Sequence, residues 1–392
     1  MLPLEDVKVV SIEQAVAAPL ASRQLADFGA RVIKIERPVT GDFARAYDET
    51  VRGMSSWFVW LNRSKQSLTL DLKHSEAKPI LGKLLAEGDV LLHNLGPGAA
   101  ERLGLAGPAL AAQFPRLIVC EISGYGSGGP YQGKKAYDLL IQNETGLVSI
   151  TGTPEAPAKA GISAADIAAG MYAFSGILLA LRRREQTGRG AVLQVSLFDS
   201  LSEWMLPAGY YAAYGGTPPP RSGAEHASIA PYGPYRCGDG SQINLAIQNE
   251  REWALFCSLV LQQPALATDA RFDSNSRRSE NRQALRAAIE DIFRTLTIEQ
   301  AAARLDAAGI ANAHMKTVQQ FWEHPQHAAR NRWRTVDSQA GPIQALSPPI
   351  IAEGWEPRMD SIPAVGENTD GILAELGYSP EQIRELRAAA AI

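Results

Sequence analysis

The sequence has little cysteine, no strong excess of either charge and no clean apolar run of the length that a membrane span needs. Cys120, Cys237 and Cys257 are too few and too scattered for a disulfide framework or a zinc site. The 38 Lys and Arg against 42 Asp and Glu give a formal net charge of −4, which provides no positive field for nucleic acid. The longest apolar stretch, residues 164–181, contains an aspartate and glycines, and we interpret it as a buried core helix.

Two further absences narrow the class of protein. The first residues, MLPLEDVKVV, lack the basic start and the apolar stretch of a signal peptide. No pair of histidines has a third histidine or a carboxylate at metal-ligand spacing, so we assign no metal. We therefore expect a cytoplasmic protein that has neither nucleic acid nor a membrane as a partner.

Apolar β-branched runs alternate with helical patterns over the first two hundred residues. Residues 7–13 predict a strand, PLASRQLADF a helix and ARVIKIER a second strand. A helix between two strands predicts a right-handed parallel crossover, which is the unit of doubly wound sheets. The alternation continues to a strand over 191–200, and a smaller α-rich module follows from about residue 205. The sequence therefore predicts an α/β fold with a parallel sheet.

A glycine pattern raises the possibility of a dinucleotide cofactor. Gly124, Gly126 and Gly129 match G-x-G-x-x-G and follow a predicted strand, but Pro130 and a polar loop come next instead of a helix. The first crossover, where this fingerprint normally lies, has no glycine. We therefore disfavour an NAD(P)-dependent oxidoreductase and keep it as the alternative of another class.

Several loops after predicted strands have the residues of a polyphosphate site. Arg37 lies where nucleotide folds contact the ribose, and its guanidinium suits a ribose that carries a phosphate, as in coenzyme A. An exposed arginine at the end of a strand is the alternative interpretation. Residues 70–73, residues 94–102 and residues 134–138 follow other strands, and the carboxyl ends of parallel strands meet at one crevice.

Asp166 allows two interpretations at the start of the long helix. With Ser163 as the N-cap, Asp166 is the third helical residue, where an acid commonly closes a capping box. The same helix end favours an ionised carboxylate at neutral pH, and a carboxylate can act as a covalent nucleophile.

Ordered stretches of the chain resemble the family III CoA-transferases, which also include the α-methylacyl-CoA racemases. They are AAPLASRQLADFGARVIKIERPVTGDFAR, LNRSKQSLTLDLK, LLHNLGPGAAERLGL, SAADIAAG, QTGRGAVLQVSLFDS and VGENTDGILAELGYSPEQIREL. The resemblance implies that Asp166 is the nucleophile. It also implies CoA contacts at Val16, Ala17, Arg37, Leu70, Asp71, Leu72, Lys73, Asn94, Leu95, Gly96, Arg102, Lys135, Tyr137 and Asp138.

The resemblance also implies a Rossmann-like large domain built from both chain ends, a smaller α/β domain between them, and an obligate, interlocked homodimer. We accordingly expect the N-terminal part of the large domain over 1–205, a linker over 206–225 and the small domain over 226–320. The return linker and the C-terminal part of the large domain then occupy 321–392.

Two departures from the family discriminate between activities. The racemases carry a His-Asp pair where this chain has Tyr137 and Asp138, so proton exchange would lack one base. The formyl-CoA:oxalate transferases have a run of glycines that is absent from residues 216–240, which disfavours oxalate. We expect transfer of CoA from succinyl-CoA to a small dicarboxylic acid, with itaconate first and mesaconate, malate, citramalate or glutarate next. An α-methylacyl-CoA racemase is the second activity that the resemblance allows, and a noncatalytic CoA-binding protein is a third possibility.

The expected transfer runs through an aspartyl anhydride and an aspartyl-CoA thioester. It needs no permanently bound cofactor, because CoA is itself a substrate. The amides of Ala164–Ala165 and of the loop Gly124–Gly129 are candidate donors to the oxyanion. The second carboxylate of a dicarboxylate needs a cation, and Arg45, Arg221 and His226 are the candidates.

Overall fold

A six-stranded parallel sheet organises the larger of two structural units. Its strands are β1 (Lys8–Ile12), β2 (Arg31–Glu36), β3 (Lys65–Thr69), β4 (Val90–His93), β5 (Ile118–Ser123) and β6 (Val192–Ser196). They lie in the order β3-β2-β1-β4-β5-β6, with Val10 opposite both Ile33 and Leu91. The direction of winding reverses between β1 and β4, and in such sheets ligands bind at the carboxyl ends of the strands near this point. The predicted α/β class is confirmed.

The computed structural model describes residues 1–392, and these divide into two units. The first unit comprises 1–145, 160–206 and 326–392, and the second comprises 146–159 and 207–325. Besides the sheet, the first unit contains α1 (Ala17–Asp27), a 3₁₀ helix (Phe43–Ala46), α2 (Ser56–Leu61), α3 (Ala77–Glu87), α4 (Ala99–Leu103), α5 (Gly107–Gln113) and α6 (Asp138–Glu144). The second unit begins with α7 (Leu147–Ile150).

The remaining elements follow in chain order. They are α8 (Ala164–Thr187), α9 (Leu197–Gly215), β7 (Tyr232–Arg236), β8 (Gln242–Ala246), α10 (Glu250–Leu255), a π-helical turn (Phe256–Val260), a 3₁₀ helix (Pro264–Thr268), α11 (Asn275–Glu280), α12 (Arg282–Phe293), α13 (Ile298–Ala307), β9 (Ala311–His314), α14 (Val318–Trp322), α15 (Pro325–Ala329), β10 (Trp333–Val336), β11 (Ile343–Leu346), α16 (Thr369–Glu375) and α17 (Pro380–Ala388).

Helices cover both faces of the parallel sheet. Val10, Ile33 and Leu91 join one apolar core with side chains of α3, α5, α16 and α17. The alternate strand residues, such as Val9 and Leu92, point to the opposite face, because successive strand side chains alternate. There α1 packs against β1, β2 and β4, and α8 packs against β5 and β6. A sheet covered on both faces explains why strand runs such as Val90–Leu92 and Ile118–Cys120 are apolar.

Close packing of α1 on α8 depends on Gly170. A Cβ atom built on Gly170 would lie 2.7 Å from the carbonyl oxygen of Ala17 and 3.0 Å from the Cβ of Leu20. By length and composition alone α8 could cross a membrane, but Ala168, Ala173 and other residues of its apolar face are buried within the unit. The helix therefore has the packing of a core helix.

The second unit has its own core. Strands β7, β8 and β9 form an antiparallel sheet, and Trp253, Phe256, Phe272 and Phe293 are fully buried against it and its helices. Residues 146–159, which we assigned to the N-terminal part of the large domain, group with this unit.

Arg221 provides the physical reason for this grouping. Its guanidinium donates to the carbonyl oxygens of Ser149, Thr153 and Pro154. The amide of Gly223 donates to the carbonyl of Gly152.

The strand predicted over 191–200 is too long. It ends at Ser196, whose Oγ accepts a hydrogen bond from the amide of Asp199 and donates one to the Asp199 carboxylate. This local capping starts α9, and α9 continues to Gly215. The first ten residues of the predicted linker 206–225 are therefore helical.

Candidate functional site

A cavity of about 650 Å³ opens at the carboxyl ends of β1 to β4. Its lining includes Arg37 after β2, Leu70–Lys73 after β3 and Leu95 after β4, which are six of the predicted CoA contacts. Arg37 and Lys73 are the two cations among the lining residues. The lining also has four acidic residues, of which Glu13, Glu36 and Asp42 are paired with buried or half-buried cations. Apolar lining residues together with the two cations suit a flat base that carries phosphates.

Two other predicted contacts, Asn94 and Arg102, lie in the loop and helix that follow β4, next to this cavity. Asn94 binds the loop between β1 and α1 (residues 13–16, the first-turn loop). Its Nδ2 donates to the Gln14 carbonyl (2.7 Å) and its Oδ1 accepts from the Gln14 amide (2.9 Å). The Arg102 guanidinium folds back over Gly98, close to Ala99 and Leu103 in the cavity wall. Asn94 therefore holds the loop in place, whatever it contacts in a ligand.

The first-turn loop reaches the region of Asp166. Val16 and Ala17 are buried at the start of α1, so their side chains face the protein interior. Val16 packs in a small apolar cluster with Leu20 and Leu61, and Ile167, the neighbour of Asp166, packs against the same cluster. The first turn of α1 therefore lies beside the first turn of α8.

Asp166 does not cap its helix. It occupies the third position of α8 as expected, but neither of its carboxylate oxygens accepts a hydrogen bond, and Ser163 makes no capping bond either. Asp138 takes that role, because its Oδ1 accepts the amide of Ala165 (2.8 Å). The capping-box interpretation is therefore wrong, and the Asp166 carboxylate is left without a structural partner.

The pKa of the Asp166 carboxyl group is also far above its usual range. Burial and the neighbouring Asp138 carboxylate raise the pKa of Asp166 to about 7. The helix end favours the ionised carboxylate, whereas burial and the like charge of Asp138 favour the protonated form, so both forms are populated near pH 7. A partly protonated carboxyl group in a site is the kind of perturbed group that active centres contain.

The segment at the start of α6 (residues 135–138), which contacts the start of α8 through Asp138, carries three predicted contacts: Lys135, Tyr137 and Asp138. Asp138 is the first residue of α6, and its Oδ2 accepts the Nε2 of Gln142 (2.7 Å). Tyr137 precedes it with an exposed ring, and Lys135 is exposed and forms no ion pair. The neighbouring Lys134 binds Glu144 (2.6 Å).

Tyr47 belongs to this group, although no sequence motif singled it out. It follows the 3₁₀ helix that Asp42 caps, and its ring meets Trp57 edge to face. Burial and the charges of Asp42 and Asp166 raise the pKa of the Tyr47 phenol to about 12, so it remains a hydrogen-bond donor at neutral pH. The usable signal was an aromatic residue in the loop between two strands of the predicted sheet.

A buried network of charges lies under the cavity. The Lys34 ammonium contacts Glu13 (3.3 Å) and Asp42 (2.8 Å), and Lys65 contacts Glu13 (2.7 Å). Burial would raise the pKa of Glu13, but the charges of Lys65 and Lys34 lower it to about 2. Asp42 connects this network to the first-turn loop, because its Oδ1 accepts a hydrogen bond from the amide of Ala15 (3.2 Å).

The three candidate cations for a second carboxylate are engaged elsewhere. Arg45 forms a two-bond pair with Glu36 (2.9 and 2.7 Å) and stacks over the Phe58 ring. Arg221 holds the carbonyls of residues 149–154 in the second unit. The His226 Nδ1 accepts the amides of Ser228 and Ile229 and its ring stacks on Tyr232. Each therefore has a structural role in its own unit.

The proposed oxyanion donors at the start of α8 are also engaged. The Ala164 amide donates to the carbonyl of Ile162 (2.9 Å), and the Ala165 amide donates to Asp138. In the loop Gly124–Gly129 the Gly126 amide donates to Ser123 Oγ (3.0 Å). No helix opens directly after this loop, since α6 begins only at Asp138, so the loop lacks the geometry of a dinucleotide fingerprint.

Comparison with known proteins identifies the family. The sequence matches the family described as CoA-transferase family III over residues 4–369. A solved structure of a CAIB/BAIF family protein from Brucella suis superposes with a TM-score of 0.83 at 33% identity, covering 96% of this chain and 99% of that one. The chain therefore belongs to CoA-transferase family III, and the protein is a CoA-transferase.

Curated relatives span nearly the whole chain. An acetyl-CoA:oxalate CoA-transferase from Acetobacter aceti is 35% identical, covering 90% of each chain. A succinate–glutarate CoA-transferase from Agrobacterium fabrum is 31% identical over 95% of this chain and 96% of its own. A succinyl-CoA–D-citramalate CoA-transferase from Chloroflexus aurantiacus is also 31% identical, over 98% of this chain and 97% of its own.

Proposed function

We propose that the protein transfers CoA from succinyl-CoA to a small dicarboxylic acid, with Asp166 as the covalent nucleophile. The observation that carries the proposal is the Asp166 carboxylate without a hydrogen-bonding partner, beside the first-turn loop and at the start of α8. The names of the Agrobacterium and Chloroflexus relatives support a succinyl donor and a dicarboxylate acceptor. Itaconate is the acceptor that we would test first.

The proposed chemistry exchanges acyl groups without ATP. A carboxylate oxygen of Asp166 attacks the thioester carbonyl, the C–S bond breaks, and a mixed anhydride and CoA thiolate form. The thiolate attacks the aspartyl carbonyl and the anhydride C–O bond breaks. Succinate is released, and an aspartyl-CoA thioester remains on the enzyme. The acceptor carboxylate then attacks this thioester and expels the thiolate, which attacks the acceptor acyl carbon and regenerates the Asp166 carboxylate.

The residues of the site supply cations for the phosphates of CoA and a hydrogen-bond donor for the reacting acids. Arg37 and Lys73 in the cavity suit the phosphates of CoA, and nucleotide binding would position the thioester for attack. Tyr47, a neutral phenol near Asp166, is a candidate donor to an oxygen of the reacting acids. Because Arg45 is paired with Glu36, we do not assign it to the second carboxylate.

Mass spectrometry of CoA thioesters tests the function directly. The protein is mixed with succinyl-CoA or acetyl-CoA and, one at a time, itaconate, mesaconate, citramalate, malate, glutarate, acetate or oxalate. We expect a new thioester from succinyl-CoA with one or two dicarboxylates. Exchange only between acetyl-CoA and oxalate would replace the proposed substrates by those of the Acetobacter relative. No exchange at all, with α-proton exchange in a 2-methylacyl-CoA, would establish a racemase.

The acidity of Asp166 predicts a pH dependence. Because the nucleophile must be ionised, kcat/KM of the wild-type enzyme should fall about tenfold per pH unit below about pH 7. Asp138→Asn removes the like charge, so the acid limb of the pH profile should move to lower pH, while burial still keeps the pKa above its usual range. Asp6→Asn, at an exposed carboxylate without a hydrogen bond, is the matched control and should leave the limb in place. An acid limb in Asp138→Asn at or above the wild-type pH would contradict the assignment.

We also propose an obligate, interlocked homodimer in the cytoplasm, on the resemblance to the family. Sedimentation velocity over a wide concentration range tests the assembly, because an interlocked pair should show no dissociation before unfolding.

A further inference from the structure

The turn after α17 (residues 389–392) returns the chain to the sheet. The amide of Ala390 donates to the Arg387 carbonyl and that of Ala391 to the Leu386 carbonyl, which ends the helix. Ala390 has φ +57°, the left-handed conformation that reverses a chain after a helix. Ala391 is fully buried, and Ile392 packs into the core beneath the sheet.

This turn contacts the cavity at the end of β3. Ala390 is one of its lining residues, together with Asp71 and Lys73. The Ala391 carbonyl accepts the amide of Asp71 (2.8 Å), and the Asp71 carboxylate in turn accepts the amide of Lys73 (3.0 Å). The backbone of residues 71–73 is therefore held between the turn after α17 and its own aspartate.

We infer that the turn after α17 is a positioning element for the nucleotide half of CoA. Ala390 lines the cavity, and the Ala391 carbonyl holds the loop that carries Lys73. The inference rests on the proposed function for the identity of the ligand. Asp166 does not line this cavity, whereas Arg37, at the ribose position of nucleotide folds, does. The turn should therefore affect binding of the nucleotide and leave the acyl chemistry unchanged.

Two matched pairs of variants test the turn: one changes Ala390, which lines the cavity, and the other changes Ile392, which packs the turn into the core. Ala390→Asp and Ala390→Asn place side chains of equal size at a position whose left-handed backbone both residues tolerate. Only the aspartate brings a negative charge to the phosphates. Ile392→Ala and Ile383→Ala remove the same groups from the same core, but only Ile392 belongs to the turn.

Each variant is assayed with succinyl-CoA and with succinyl-pantetheine, which lacks the nucleotide. For succinyl-CoA we expect Ala390→Asp to raise KM about tenfold over Ala390→Asn, less at high salt, with kcat unchanged. Ile392→Ala should raise KM several-fold, whereas Ile383→Ala should change only thermal stability. With succinyl-pantetheine, kcat/KM should match the wild type in all four.

Equal losses of kcat/KM with succinyl-CoA and succinyl-pantetheine would overturn the inference. An equal KM for succinyl-CoA in the two variants of each pair would also overturn it. Titration calorimetry with CoA alone separates it from the proposed function. If the wild type binds CoA but exchanges no acid, the proposed function fails, and the Kd values of the variants for CoA still decide the role of the turn.

Discussion

Asp166→Asn is expected to fold and to bind CoA, and to lose about ten-thousand-fold or more in turnover, as other enzymes do without their nucleophile. An amide cannot form the anhydride, and no second carboxylate is free to replace it, because Asp138 is held by the Ala165 amide and by Gln142. Intact-protein and peptide mass spectrometry after mixing with succinyl-CoA alone should show CoA on the wild-type peptide that carries residue 166, and none on the variant.

A capping role for the same residue makes the opposite prediction. Loss of a helix cap costs about 1 kcal/mol of stability and leaves chemistry intact. Since Asp166 accepts no hydrogen bond and faces Asp138, the variant should be at least as stable as the wild type above pH 7. Thr297→Ala is the control, because Thr297 forms a true capping box on α13. It should lose stability and keep turnover, and an Asp166→Asn enzyme with near-normal exchange would refute the nucleophile.

The sheet and much of the cavity could be predicted from the sequence because their causes are local. β-branched runs define β1, β2 and β5, and each amphipathic stretch between them predicts a crossover. Parallel strands bring their carboxyl ends together, so Arg37, Leu70–Lys73 and Leu95 could be expected at one crevice before any contact was known.

The electrostatics of the site could not be predicted, because they depend on which charged side chains meet in the fold, and no local sequence pattern specifies those pairs. The Asp138–Ala165 hydrogen bond joins positions 27 residues apart and caps α8 in place of Asp166. Burial and the charge of Asp138 raise the pKa of Asp166. Arg45 was a plausible free cation until its partner Glu36, at the end of β2, was seen. Lys34 lies in an apolar strand where the pattern gives its face but not its partners.

Lys34→Met should cause the largest loss of stability among single substitutions in the buried network. It leaves the carboxylates of Glu13 and Asp42 buried with one ammonium fewer, and breaking such a pair costs about 3–5 kcal/mol. This is a large share of the roughly 5–15 kcal/mol that stabilises a typical domain. The control is Lys8→Met in the neighbouring strand β1, whose exposed pair with Glu87 is worth about 0–1 kcal/mol. Urea unfolding of both variants measures the difference.

The network also links stability to pH and to the site. The pKa of Glu13 is lowered in the folded protein, so its contribution is present above the unfolded value of 4.5 and is lost as pH falls toward about 2. In Glu13→Gln the free energy of unfolding should therefore fall less steeply as pH is lowered.

The network also supports the first-turn loop. Because Lys34 holds Asp42, and Asp42 accepts the Ala15 amide, the folded fraction of Lys34→Met should bind CoA more weakly through a loosened first-turn loop. Unchanged stability and unchanged CoA binding in Lys34→Met would show that solvent or other groups compensate these charges, and the network would then have no part in building the site.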